Sequence, residues 1–170
     1  MTRELLLLRH AKSDWTGTMA NDFDRPLAKR GKADAPEVGR WLKGQGLVPD
    51  QVISSPAKRA RQTAKRVCEA LGYDPSRVTW EPRVYEGQLG DLLAVLAGCP
   101  ATARRVLLVG HNPGLEYLLS HLGGETAVVA EDGKLLPTAS VARLELPDDW
   151  AVLDPGCGRV LSITRPTQMA

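Results

Sequence analysis

Three cysteines in 170 residues is few, and their placement says more than their number. Cys68, Cys99 and Cys157 lie far apart, are odd in count and form no CxxC pair. That argues against a disulfide frame and against a thiolate zinc site, and leaves reduced thiols as expected of a cytoplasmic protein. Long apolar runs are also missing. The first, Leu5–Leu8, follows Arg3 and Glu4, and no stretch approaches the roughly 20 residues a membrane helix needs. No leader pattern is visible. Aromatic residues make up only 5% of the chain, too few to interleave with its basic residues as a nucleic-acid surface would require. Internal repeats and low-complexity segments are lacking.

What remains is ordinary for a soluble globular protein: 43% hydrophobic and 25% charged residues. The length suits one domain over residues 1–170, enough to bury roughly 70% of its unfolded surface. A net charge of +2 conceals an asymmetry. Residues 1–66 hold 14 Lys/Arg and 7 Asp/Glu, a net of +7, and residues 67–170 hold 8 and 13, a net of −5. A basic half can serve nucleic acid, but these cations are spread over several elements, and a cleft for an anionic substrate fits as well.

Four consecutive leucines, Leu5–Leu8, suit a strand buried on both faces of a mostly parallel sheet. Residues 11–26 read as a long polar loop, and a loop of that length in a compact domain tends to be functional. Lys29–Gln45 has helical character with Pro36 inside it. Either a regular helix starts near Asp34, with an Asp34/Glu37 capping box, or a longer helix bends at Pro36. Asp50–Ser54 is a short strand, and Ser55-Pro56 reads as the start of a helix over Ala57–Leu71 that stops at Gly72. A short strand at Val78–Trp80 is expected before a helix at Leu89–Leu96. Arg105–Gly110 is a second buried strand, followed by a helix over Leu115–Leu122, and Val141–Leu146 and Arg159–Thr164 complete the strands. The alternation predicts an α/β fold, a three-layer sandwich around a mostly parallel central sheet.

Three of these strands end in polar turns: Arg9-His10, then Ser55 with Arg59 one helical turn on, then His111. If the strands are parallel neighbours, the groups meet outside the carboxyl ends of the sheet, where ligands of such folds bind. Two guanidinium forks and two imidazoles there would hold a dianion. His111 alone also reads as a turn histidine bonded to backbone. His121, in the last turn of its helix, reads as structural.

With these residues assembled, the chain resembles the histidine phosphatase superfamily, which includes the cofactor-dependent phosphoglycerate mutases. Arg9-His10-Ala11-Lys12-Ser13 is similar to its Arg-His-Gly signature, with alanine in place of the usual glycine. Residues Ser54 to Ala64, with Ser55-Pro56, Arg59 and Thr63, resemble the second motif, and Gly110-His111-Asn112-Pro113-Gly114 the third. Asp24-Arg25-Pro26-Leu27 and Gly31 also match. The short length is similar to the SixA-type phosphohistidine phosphatases within that family.

The resemblance implies a phosphoglycerate mutase-like fold and a metal-independent phosphatase. His10 would be the nucleophile, taking the phosphoryl group as a phosphohistidine that water hydrolyses. Arg9 and Arg59 would clamp its oxygens and His111 would donate a hydrogen bond to them; Ser13 would be a further phosphate contact. The family's glutamate acid has no clear counterpart, with Glu81 and Glu86 as candidates. No cofactor is implied, and no metal. A missing acid points to protein phosphohistidine as substrate, since an imidazole leaves more readily than an alkoxide. A phosphomonoesterase for small phosphorylated metabolites, using Glu81 or Glu86, is the alternative. A mutase, a non-catalytic phosphate-binding module and a nucleic-acid binder rank lower, and no membrane partner is expected.

Overall fold

The four leucines do form a strand with both faces covered. In the computed structural model, which describes residues 2–17 and 21–170, β1 spans Arg3–Arg9, and Leu5–Leu8 are wholly buried. Their side chains alternate between two cores, as the two-residue period of a strand requires. Leu5 and Leu7 enter one cluster, Leu6 and Leu8 the other.

Among the described residues, four α-helices close those two faces. On the side of Leu6 and Leu8 lie α1 (Lys29–Gly44) and α2 (Lys58–Leu71), which contribute Ala35, Val38, Leu42, Ala60, Ala64, Val67 and Leu71 to the core. On the side of Leu5 and Leu7 lie α3 (Leu89–Ala97) and α4 (Gly114–Gly123), with Leu92, Leu96, Leu115, Leu118 and Leu122 inward. The remaining strands are β2 (Gln51–Ser54), β3 (Thr79–Trp80), β4 (Arg105–Gly110), β5 (Val141–Leu146) and β6 (Arg159–Thr164). The sheet order is β3-β2-β4-β1-β5-β6. Its first four strands are parallel, whereas β5 and β6 run antiparallel. The result is a three-layer α/β sandwich with a mixed sheet.

The register matters for function. Leu8 pairs with Val109 and Arg9 with Gly110, while Ser54 pairs with Val109. The carboxyl ends of β1, β4 and β2 are therefore side by side. The turn after β1 is held in place by backbone. The amide of Ala28 donates to the Lys12 carbonyl at 2.9 Å, and a Cβ on Gly31 would collide with that same carbonyl. Only glycine lets α1 approach this closely.

Local details settle one open alternative and depart from the sequence reading in one place. The helix around Pro36 is the longer alternative, continuous from Lys29. Asp34 pairs with Arg30 at 3.5 Å and Glu37 with Arg40, so no capping box forms between them. Ser55 is not the cap of α2: Ala57 holds the cap position without a side-chain bond, and the Ser55 hydroxyl accepts from the Ala57 amide at 3.2 Å. Gly72 ends α2 with φ of 79°, the left-handed conformation glycine tolerates. The three thiols are free. Among the described residues, no helix is long and apolar enough to cross a membrane.

Candidate active site

His10 follows β1 directly, and its ring is fixed by its own turn. Nδ1 lies 2.8 Å from the Ala11 carbonyl. A carbonyl can only accept, so Nδ1 carries the proton and Nε2 is left with its lone pair. The turn is stapled to α2 by Thr63, whose hydroxyl accepts from the Ala11 amide at 3.0 Å and donates to the Arg59 carbonyl at 2.8 Å. The Ala11 methyl is fully buried, so the alanine is accommodated where most relatives of the motif have glycine.

His111 follows β4, and its ring centroid is 5.2 Å from that of His10. Its Nε2 lies 2.8 Å from the Ser55 hydroxyl at the end of β2. With Ser55 donating to Nε2, the proton of a neutral His111 sits on Nδ1, which is buried and has no partner among the described residues. Tyr85 packs edge-on against the His111 ring at 5.6 Å. Both imidazoles are held neutral. Burial is the first cause for each, followed for His111 by the charge of Arg59, and both titrate near 3. For His10 the Ala11 carbonyl opposes that shift, while His111, Arg59 and Arg9 add to it.

This has a consequence for folding. Each histidine is depressed below its ordinary value of 6.5, so the unfolded chain binds protons that the folded chain refuses. Stability is full above pH 6.5 and falls as pH drops from there toward 3. The slope is about 1.4 kcal/mol per pH unit for each histidine. Urea unfolding at pH 7 and pH 5 should show this loss, and His10→Gln should remove about half of the slope. A wild-type stability that is flat over this range would contradict the assignment.

Arg59, in the first turn of α2, is buried. Its Nη1 donates to the Asp22 carbonyl and its Nη2 to Asp22 Oδ2, both at 2.9 Å. The Asp22 carboxylate also accepts from Tyr85 Oη at 2.9 Å and from Arg25 Nη2 at 3.1 Å. Although partial burial opposes it, these three donors hold the Asp22 carboxyl down at about 2. Arg59 Nε is buried and without a partner among the described residues, as is Arg9 Nε.

Arg9 reaches the site from the other flank. Its Nη1 donates to the Leu136 carbonyl at 3.4 Å, and Asn112 Nδ2 donates to the same carbonyl at 2.8 Å. Glu116 accepts from the Leu136 amide at 3.0 Å. A hollow of about 480 Å³ is lined by Asp22, Arg59, Tyr85, Glu86, His111 and Asn112 among others. A second, of about 430 Å³, is lined by Arg9, Lys12, Asn112, Glu116 and Lys134 among others. Asn112 borders both.

The structure thus gathers His10, His111, Arg59 and Arg9 at one sheet edge. Ser13 is buried beside them and accepts from Arg25. The two candidate acids part company. Glu86 lines the larger hollow. Glu81 is bound by Arg83 at 2.9 Å, held below the ordinary carboxylate range by that bond first, and lines a different depression. His121 bonds the Leu153 carbonyl at 2.9 Å, away from the site. Asp22, Tyr85 and the Leu136 backbone carry no signal in the sequence, and Arg25, matched there as part of a motif, has no role assigned by it. Part of the 11–26 loop, residues 18–20, lies outside the described residues. Among those described, no three His, Cys, Asp or Glu side chains group as metal ligands.

Comparisons with known proteins identify the family. The family model of the histidine phosphatase superfamily (branch 1) matches residues 5–97. An uncharacterized protein of Mycobacterium tuberculosis strain H37Rv is 34% identical over 164 residues, 94% of this chain and 99% of that protein. A protein of Nakamurella multipartitia, whose assignment as phosphohistidine phosphatase SixA is provisional, superposes with a TM-score of 0.84. It is 28% identical and covers 98% of this chain and 97% of its own. The protein histidine phosphatase SixA complexed with tungstate superposes with a TM-score of 0.81 at 25% identity, over 98% of this chain and 99% of that one. This chain belongs to the histidine phosphatase superfamily, branch 1, and is a hydrolase acting on phosphoryl groups.

Proposed function

We propose that this chain is a single-domain, metal-independent phosphatase of the cytoplasm that takes phosphoryl groups from protein phosphohistidine through a covalent intermediate on His10. One observation carries the reading: the His10 Nδ1–H is committed to the Ala11 carbonyl at 2.8 Å, so the other nitrogen is a fixed, unprotonated nucleophile. Nε2 attacks phosphorus in line, the bond from phosphorus to the substrate's imidazole nitrogen breaks, and that nitrogen keeps the electron pair, so a ring already protonated on its other nitrogen leaves as neutral imidazole. Water then attacks the phosphohistidine, releases inorganic phosphate and returns His10 neutral. The oxygens' charge is met by Arg9 and Arg59, and His111 Nδ1–H donates to one of them. The three unpartnered donors, Arg9 Nε, Arg59 Nε and His111 Nδ1, support that assignment, and Ser13 supports the phosphate side through Arg25. The tungstate of the SixA structure is a tetrahedral oxyanion of the same kind.

The choice of phosphohistidine rests on the carboxylates. An alkoxide must be protonated as it leaves, and an acid in place contributes about 10²–10⁴-fold. Asp22, held at about 2, is ionised at neutral pH and has no proton to give. Glu81 is tied to Arg83. A phosphorylated imidazole is protonated before cleavage and needs neither. Comparing kcat/KM for a phosphohistidine protein with small phosphomonoesters should show a preference of about 10²-fold or more. A preference for a small phosphomonoester would overturn the substrate while leaving the nucleophile intact. The second reading, a phosphomonoesterase for small metabolites, is favoured by Glu86, whose position on the larger hollow suits an acid.

A further inference from the structure

The Asp22 carboxylate stands where a phosphatase would not be expected to place a negative charge. It is bonded to the guanidinium that serves the phosphoryl group, and it is 46% exposed. Its neighbours Arg25 and Arg59 are almost fully covered, with side chains 9% and 7% exposed. The carboxylate therefore presents an open edge to the larger hollow from a rigid, buried mount. Glu86 lines the same hollow, and among the described residues the only cation lining it, Arg59, is the one the phosphoryl oxygens claim. A leaving group extending past His111, which lines this hollow, meets two carboxylates and, among the described residues, no cation but Arg59. The other hollow, with Arg9, Lys12 and Lys134, is the basic one.

We propose that Asp22, seconded by Glu86, sets selectivity by the charge of the leaving group, favouring one that is cationic or becomes so and rejecting one that carries a negative charge. The inference rests on the phosphatase reading and deepens it. A protonated imidazole satisfies the preference; a carboxylate-bearing metabolite does not. A unit charge fixed a few ångströms from the leaving group, at the boundary of protein and water, is worth roughly tenfold in rate ratio. Asp22 is a positioning residue toward Arg59 and a specificity residue toward the substrate, and these roles separate experimentally.

The test compares two phosphomonoesters of opposite leaving-group charge, phosphoethanolamine and phosphoglycolate, so that phosphorus–oxygen chemistry is common to both. For the wild type, kcat/KM should favour phosphoethanolamine. Asp22→Asn should cut that ratio by roughly tenfold, Asp22→Glu should restore it, and Glu86→Gln should lower it less, without touching Arg59. A ratio unchanged in Asp22→Asn, or an equal loss on both substrates, would overturn the proposal and leave Asp22 a support for Arg59. If Asp22→Asn does not fold, an unchanged ratio in Glu86→Gln overturns it instead. A phosphohistidine protein assayed in parallel reports on the substrate reading separately, since that reading can fail while the charge ratio still shifts.

Discussion

Replacing His10 by alanine is expected to lower turnover by at least about 10⁴-fold on every substrate, with the fold retained. Loss of a nucleophile that acts together with its neighbours costs nearly the whole chemical step. In this site no other group can take its place. His111 is 5.2 Å away, centroid to centroid, but its Nε2 is engaged by the Ser55 hydroxyl, and with that hydroxyl donating its other nitrogen carries the proton. The variant should still bind inorganic phosphate or tungstate, because Arg9, Arg59 and His111 remain. It should also be less sensitive to acid than the wild type, since one of the two histidines that resist protonation is gone. Steady-state kinetics and oxyanion titration on the same preparation would check both halves. Residual activity within 100-fold of wild type would show that His10 is not the nucleophile.

Arg59→Ala is expected to lower kcat/KM by about 10²–10³-fold, the range for removing one preorganised donor to transition-state charge. It should also destabilise the fold by about 1–3 kcal/mol, because Asp22 then loses both of its Arg59 bonds. Arg59→Lys should regain part of the stability and little of the rate. A lysine keeps the charge but cannot offer Nη1 and Nη2 to Asp22 while Nε faces the phosphoryl group. Kinetics together with urea unfolding would separate the two effects. A rate loss that Arg59→Lys restores in full would mean that only charge, and not the fork, is used.

The parts of this site that can be read along the chain are those that follow an apolar strand directly. Arg9 and His10 after β1, and His111 after β4, are exposed by the contrast between a buried run and a polar turn. Arg59 is legible because Ser55-Pro56 marks the beginning of its helix. Asp22 is not legible, because two of its three partners, Arg59 and Tyr85, lie 37 and 63 residues further on. In its own segment it is one acid among polar neighbours, indistinguishable from a solvated surface residue. The same holds for Leu136, whose backbone carbonyl and amide, not its side chain, tie Arg9, Asn112 and Glu116 together. Ser55 was visible, but its task was not. Serine before proline points to a helix cap, whereas the hydroxyl is aimed across to β4, at His111. The path around Pro36 could not be settled from local preference, since the packing of α1 on α2 and β1 outweighs a missing backbone bond. Gly31 was noticed as part of a motif; the structure supplies the reason, the Lys12 carbonyl lying against it.

The most direct test of the account is a rapid-quench experiment with a radiolabelled phosphohistidine protein under single-turnover conditions, followed by mapping of the labelled residue. The expected product is a phosphoenzyme that is labile in acid, stable in alkali and carried on Nε2 of His10, since Nδ1 is held by the Ala11 carbonyl. Label on Nδ1 of His10, label on any other residue, or phosphate released with no phosphoenzyme formed would contradict it.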